Sequence, residues 1–178
     1  MSTQAQATPS KERPCAVVLG GYVNGYGIIR ELHEKGVRDI VLVDHAKRLA
    51  SLSNKIVQFR EVPENNAAGL RQALESLRKD YDYLVLFPSE DLGMELLARE
   101  YAALEKFCFI PFNPRNLADA SDKRHQYQAC ERLGVPYPKT LYVNEASDIG
   151  RIRELLCPVL VKPATRKDVV MSVFRSLR

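Results

Sequence analysis

Two lysines in the last third of the chain each lie at one terminus of a predicted helix or strand. Lys123 follows Ser121 and Asp122 at the start of a predicted helix, and Lys162 ends a predicted strand that begins at Val159. A triphosphate needs cations that rigid elements hold in place, because a fixed charge in a partly dry cleft is more effective than a mobile one. Lys162 suits that role, since it rises from an otherwise apolar strand. Lys123 opposes the helix dipole, a cost that Ser121 and Asp122 can offset as caps.

A glycine-rich loop follows the first apolar run and spans residues 20–27. Its glycines allow a sharp backbone turn, and the free N–H groups at the next helix start favour an anion. The spacing Gly21-x-x-x-Gly25-x-Gly27 is similar to that of short-chain dehydrogenases, and Asp44 stands where a ribose-binding acid would. NAD(P) binding is therefore one alternative. The chain contains no Tyr-x-x-x-Lys, which such dehydrogenases use for proton transfer. A purely structural loop is another alternative.

The elements that must position these residues alternate between apolar runs and amphipathic segments up to residue 115. Three runs are apolar on both faces, as buried strands of a parallel sheet must be. They are Cys15–Leu19, Ile40–Val43 and Tyr83–Phe87, with further strands expected at 56–59 and 107–110. Helices are predicted at 27–35, 70–77 and 89–105, the last with Ser89 as N-cap. Residues 15–115 are thus predicted to form an α/β, Rossmann-like domain with a parallel sheet, after a flexible tail at 1–14.

From residue 116 onward the order of predicted helices and strands differs from that of the first domain. Residues 119–122 lead into a helix that is predicted to open at Lys123 and to run to about Leu133, where Gly134 and the following prolines stop it. A strand at 140–143, a helix at 147–156, the strand that ends at Lys162 and a last strand at 169–174 are expected to follow. We place a domain boundary at 115/116 and a second, α+β module at 116–178.

Composition excludes several classes of protein. Hydrophobic residues make up 46% of the 178, which is ample for a core, and no apolar run is long enough to span a membrane. The four cysteines and three histidines lack the spacings of a metal site, and cytoplasmic location is the default. Residues 151–178 hold seven basic and two acidic residues, but without a nucleic-acid motif we expect no nucleic-acid partner.

Three features of the second module resemble the start of the ATP-grasp fold, in particular the carboxylate-amine ligases of the D-aspartate ligase type. These features are the Asp-Lys helix start at Lys123, the Pro-Val-x-Val-Lys-Pro run around Lys162, and the intervening Leu133-Gly-Val-Pro-x-Pro-Lys-Thr140 turn. The resemblance implies that residues 15–115 are a pre-ATP-grasp domain. It also implies that Lys123 and Lys162 bind ATP.

The same resemblance implies a substrate side in the first domain. Its candidates are Gly21, Tyr22, Asn24 and Gly25 in the glycine loop and Glu90 after the third strong strand, although Glu90 could equally be a plain first-turn acid. The implied reaction phosphorylates a carboxylate with ATP and Mg²⁺, after which an amine attacks the acyl phosphate. An amino-acid type substrate is the commonest in that family, and a homo-oligomer is left open.

The chain departs from the family pattern after Lys162. The expected glycine-rich phosphate loop is replaced by Ala164-Thr-Arg-Lys-Asp168, and the family's Mg²⁺ ligands would lie beyond Arg178. We therefore expect an N-terminal fragment, expressed as such or cut by an early stop, that is catalytically incomplete alone and supplies no catalytic residue. A non-catalytic nucleotide-sensing or interaction domain is the remaining alternative.

Overall fold

The computed structural model describes residues 12–64 and 66–162. The chain divides into two compact units, the first ending at Leu117 and the second beginning at Ala118. None of the described helices has the length and hydrophobicity that a membrane span requires.

A five-stranded parallel sheet forms the centre of the first unit, in the order β3-β2-β1-β4-β5. The strands are β1 (Pro14–Leu19), β2 (Ile40–Asp44), β3 (Gln58–Glu61), β4 (Tyr83–Pro88) and β5 (Cys108–Phe109). The helices between them are α1 (Val23–Glu34), α2 (Ala67–Leu77), α3 (Asp91–Arg99) and α4 (Tyr101–Leu104). The predicted Rossmann-like α/β fold is confirmed.

The core lies on both faces of β1, because successive side chains of a strand point to opposite sides of the sheet. Cys15, Val17 and Leu19 pack into the larger cluster, which includes buried leucines of α2 and α3. Ala16 and Val18 pack into the smaller cluster. Both faces of β1 and β2 are buried, which explains why their sequences are apolar without alternation.

Several predicted boundaries differ from those observed. Pro14, predicted to lie in the tail, already belongs to β1 and pairs with Tyr83. The first helix begins at Val23 rather than residue 27, and β3 lies two residues later than predicted. The prediction of a single helix at 89–105 is wrong. The observed helix starts at Asp91 and is interrupted at Glu100, whose backbone leaves helical geometry. The Glu100 carboxylate lies 3.0 Å from Nε of Arg71 on α2, a tertiary contact that local propensity cannot reveal.

The regular elements of the second unit, as far as it is described, are all helices. It contains α5 (Leu117–Ser121, which starts at the boundary), α6 (Lys123–Leu133) and a 3₁₀ helix at Ala146–Glu154. Gly134 ends α6 in the left-handed conformation (φ 66°), as its sequence position predicted. The α-helix predicted at 147–156 is replaced by the 3₁₀ helix, within which Gly150 disfavours an α-helix.

The predicted strands at 140–143 and 159–162 are not observed. Both segments lack any ladder partner among the residues of the structure up to 162, and an extended segment becomes a strand only when its backbone groups pair. Leu160 and Val161 are exposed rather than packed. The strand predicted at 169–174 lies outside the described residues.

Candidate functional site

The carboxyl ends of β1 and β4 form a topological switch point. From β1 the chain crosses toward β2, whereas from β4 it crosses to β5 on the opposite side of the sheet. The two connections diverge there and leave a crevice, the place where open α/β sheets bind ligands. The glycine loop and the Ser89–Glu90 segment therefore meet at the edge where function is expected.

Ser89 joins the two sides of this crevice. Its hydroxyl lies 2.8 Å from the carbonyl oxygen of Leu19 and 3.0 Å from that of Gly20, and its backbone N–H donates to Leu19. The side-chain amide of Asn24 reaches the Ser89 carbonyl at 3.4 Å. The prediction that Ser89 caps α3 is therefore wrong, because its hydroxyl donates across the sheet instead. Glu90 occupies the N-cap position, without a side-chain cap hydrogen bond.

An added side chain would clash at Gly20, Gly21 and Gly25, and the conflict is clearest at Gly20 and Gly25. Gly20 has φ +95°, a conformation that side chains disfavour, and an added Cβ would lie 2.6 Å from the Ser89 hydroxyl. At Gly25 an added Cβ would overlap the carbonyl oxygen of Gly20, so α1 packs directly on the loop backbone. By contrast, Gly27 has open space around it. The loop spacing is explained at Gly20 and Gly25 by packing, whether or not a ligand binds.

Asp44 anchors the glycine loop. Its side chain is 1% exposed, and its carboxylate accepts hydrogen bonds from the backbone N–H groups of Gly21 (2.8 Å) and His45 (2.7 Å). A ribose-binding acid needs a carboxylate oxygen that faces the ligand. Both oxygens of Asp44 are occupied and buried, so the structure disfavours the NAD(P) alternative.

Arg48 brings the charged groups of the crevice together, and sequence reasoning missed it. Its Nη2 lies 2.6 Å from Nε2 of His45, its Nε 3.7 Å from Oδ2 of Asp44, and its Nη1 3.9 Å from Oε2 of Glu90. Because a guanidinium only donates, Nε2 of His45 accepts and Nδ1 carries the proton that faces Asp44 at 3.1 Å. The only sequence signal was its position shortly after β2, at the functional edge of the sheet.

Asp44, His45 and Glu90 offer ligand atoms within 4.8 Å of one another. Mg²⁺ prefers several free oxygen ligands. Here Arg48 carries a positive charge beside both carboxylates, and Asp44 is already bonded to the backbone. The residues do not fit Mg²⁺, and the arrangement is an ion network around Arg48.

An open cleft adjoins this network at the carboxyl ends of the strands. Glu90, Asp44 and His45 line its charged part, and leucines of α2 and α3 line its apolar part. Tyr22 and Asn24 are exposed, whereas Gly21 and Gly25 are buried. The structure thus brings Asn24 and Glu90 to one crevice, and it places Gly21 and Gly25 behind that surface.

The predicted ATP lysines both lie in the second unit and are both exposed. Lys123 is the first residue of α6, its Nζ is 3.0 Å from Oε1 of Gln126, and Asp122 caps the helix by accepting from the Arg124 N–H. A third lysine, Lys139, is engaged elsewhere, donating to the Glu154 carbonyl at 2.6 Å.

One curated relative of this chain is a ligase. D-aspartate ligase from Enterococcus faecium (strain Aus0004) is 25% identical over 169 residues, which is 89% of this chain and 40% of that protein. The chain thus spans less than half of this curated relative. No family model matches.

Solved structures resemble the chain in fold. N5-carboxyaminoimidazole ribonucleotide synthetase from Thermus thermophilus has a TM-score of 0.55 and 17% identity, over 92% of this chain and 43% of that one. L-amino acid ligase from Bacillus licheniformis has a TM-score of 0.54 and 11% identity, over 94% and 42%. These likenesses support the fold, and their partial coverage agrees with that of the sequence match.

Proposed function

We propose that this chain is part of an ATP-grasp carboxylate-amine ligase and comprises its substrate-side domain and the start of its ATP-binding module; the match to D-aspartate ligase and the fold likeness to a synthetase and a further ligase support the proposal. In the proposed reaction ATP phosphorylates a carboxylate, an amine attacks the acyl phosphate, and phosphate leaves. The first unit would hold the carboxylate or amine substrate, of amino-acid type. The second would supply Lys123 and Lys162 to the phosphates of ATP.

The position of Glu90 carries the proposal for the first unit. Its carboxylate lies at the switch point between β1 and β4, with its side chain 29% exposed in the crevice. A carboxylate there can accept hydrogen bonds from the amine of a substrate. Tyr22 and Asn24 are the exposed loop residues that would contact the same molecule. Gly21 and Gly25 would shape the loop rather than touch the ligand, since both are buried.

For the second unit, the proposal depends on the likeness to the family. Asp122 supplies the cap that offsets the unfavourable charge of Lys123 on the first turn of α6. Lys123 is therefore held by a regular element, as a phosphate-binding cation should be. Mg²⁺ would supply further charge neutralisation to the transferring phosphoryl group. We place the chain in the cytoplasm, where its four free cysteines would stay reduced.

The test is a ligase assay on the longest reading frame that encodes this chain, since D-aspartate ligase is more than twice its length. ADP release that requires both a carboxylate and an amine is the expected result. Lys162→Met and Lys123→Met should raise the KM for ATP at least tenfold, whereas Lys106→Met, the loss of an exposed lysine in the first unit, should not. Glu90→Gln should lower kcat/KM for the amine or carboxylate substrate and leave the KM for ATP unchanged.

Other outcomes identify the alternatives. ATP binding without ADP release under any pair of substrates would favour a non-catalytic nucleotide-binding domain. Tight NADPH binding would favour the dehydrogenase alternative, despite the buried carboxylate of Asp44. Either result would overturn the ligase proposal.

A further inference from the structure

Arg48 is held in place but is not saturated with hydrogen bonds. A guanidinium has five N–H donors. Within the described part of the chain only His45, at 2.6 Å, lies within hydrogen-bond distance of its side chain; the carboxylates of Asp44 and Glu90 are 3.7 and 3.9 Å away. Its side chain is 30% exposed and lies beside Glu90, which lines the cleft. Arg48 therefore keeps free donors next to the cleft.

Glu90 lies beside Arg48 and carries the opposite charge. Its carboxylate makes the 3.9 Å ion contact with Arg48 and accepts no hydrogen bond from any other described residue. An ion pair at that distance and exposure contributes little to the stability of the fold. Separating the two side chains therefore costs little, and both can turn toward a ligand.

We propose that Arg48 is the specificity-determining residue of the crevice, binding an anionic group of the substrate while Glu90 accepts from its cationic nitrogen. The inference rests on the substrate side proposed above. A molecule that carries both charges a few bonds apart replaces one long ion contact by two hydrogen-bonded charge pairs, which are stronger. A molecule with only one of the charges gains one such pair and leaves the other side chain without its partner.

The glycine loop keeps the anion-binding group in position. Asp44 holds Gly21 by a backbone hydrogen bond and lies beside Arg48, while His45 accepts from the guanidinium. A Cβ at Gly21 would lie 3.6 Å from Cβ of Arg48, so the base of the arginine packs against the loop. Only the end of the side chain is free to move, and the binding site is largely preorganised.

The experiment compares three small probes on the ¹⁵N-labelled chain: glycine, methylammonium and acetate. Glycine carries both charges, and each of the others carries one. Amide shifts of Gly20, Gly21 and Ser89 report binding at the crevice. We expect glycine to bind at least tenfold more tightly than either single-charge probe.

Variants assign that advantage to a residue. Arg48→Met should remove the tighter binding of glycine and leave methylammonium binding within twofold of wild type. Arg48→Lys should restore part of the glycine advantage. Arg30→Met is the matched control, because Arg30 is an exposed arginine paired with Glu34 outside the crevice. Retained amide dispersion shows that each variant folds.

Two results would overturn the inference. The first is that Arg48→Met binds glycine as tightly as wild type. The second is that glycine, at concentrations up to about 0.1 M, causes no amide shifts in the crevice of wild type. The proposed function is decided separately, by whether ADP release in the ligase assay requires both a carboxylate and an amine. A ligase that depends on Glu90 but not on Arg48 would keep the function and reject this specificity residue.

Discussion

The backbone N–H of Gly21 donates to Oδ2 of Asp44 at 2.8 Å, joining the loop after β1 to the end of β2. The second oxygen of Asp44 accepts from the N–H of His45. Replacing Asp44 by alanine leaves two backbone donors without a partner in a buried place. We expect Asp44→Ala to lower the free energy of unfolding by about 2–4 kcal/mol, measured by urea denaturation.

Asp44→Asn is the control for charge. Its amide oxygen can still accept one of the two hydrogen bonds, so its loss should be roughly half that of alanine. Equal stability of wild type and Asp44→Ala would mean that the loop does not need this anchor.

Two glycines of the loop should respond in opposite ways to alanine. At Gly25 a methyl group would overlap the Gly20 carbonyl oxygen, so Gly25→Ala should cost more than about 2 kcal/mol of stability. Gly27 lies inside α1 with nothing within 4 Å of an added Cβ. Gly27→Ala should therefore add about 0.5–1 kcal/mol through helix propensity. Thermal unfolding of the two variants beside wild type gives both signs.

If Gly27→Ala destabilised as strongly as Gly25→Ala, the contrast in packing would be wrong. Both glycines would then be needed for backbone conformation rather than for the approach of α1 to the loop.

Asp122 should control the local stability of α6. It is the N-cap, and its carboxylate accepts from the Arg124 N–H at 2.7 Å. Asp122→Ala removes this cap at a cost of about 1 kcal/mol, whereas Asp122→Asn retains an acceptor and should cost less. Hydrogen exchange of the α6 amides measures the change within the helix. Unchanged exchange in Asp122→Ala would show that the cap contributes nothing.

The buried thiols predict a loss of stability in alkaline solution. Burial raises the pKa of Cys15 from its ordinary value of 9.0 to about 12, and burial raises that of Cys108 to about 12 as well. Above pH 9 the unfolded chain ionises these thiols while the folded chain keeps them protonated. Their contribution is therefore complete below pH 9 and is lost as the pH rises toward 12.

Urea denaturation under reducing conditions at pH 8, 9, 10 and 11 measures this loss. We expect the free energy of unfolding to fall between pH 9 and 11, and Cys15→Ala to show a smaller fall than wild type, although it is less stable at pH 8. A fall that is identical in wild type and in Cys15→Ala would assign the alkaline loss to other groups.

The centre of the sheet was predictable because burial on both faces leaves a local mark. Ile40–Val43 contains no polar residue, and the structure extends this strand by only one residue, Asp44. The interruption at Glu100 had no such mark, because it accompanies an ion pair with Arg71 on another helix. The same holds for Ser89, which has the residue type of a helix cap but donates to carbonyl oxygens that lie 69 and 70 residues away in sequence.

The site was predictable where a residue directly follows a strand. Glu90 could be placed at the carboxyl edge of the sheet because it comes soon after β4, and Asn24 because the loop follows β1. Arg48 was not singled out, since its importance depends on distances to His45 and Glu90 that only the fold creates. The roles of Lys123 and Lys162 in ATP binding stay predictions.

The central position of β1 also determines when the first unit can become native during synthesis. β1 is the first strand among the described residues, yet its two neighbours in the sheet arrive later, with Ala16 opposite Ile40 and Cys15 opposite Leu84. The edge of β1 that pairs with β4 must therefore stay unpaired while more than sixty further residues are made, roughly several seconds at usual rates of translation. Contacts so distant in sequence also slow folding in solution. Until β4 emerges, the β1 segment is the part of the nascent protein most exposed to aggregation and most in need of a chaperone.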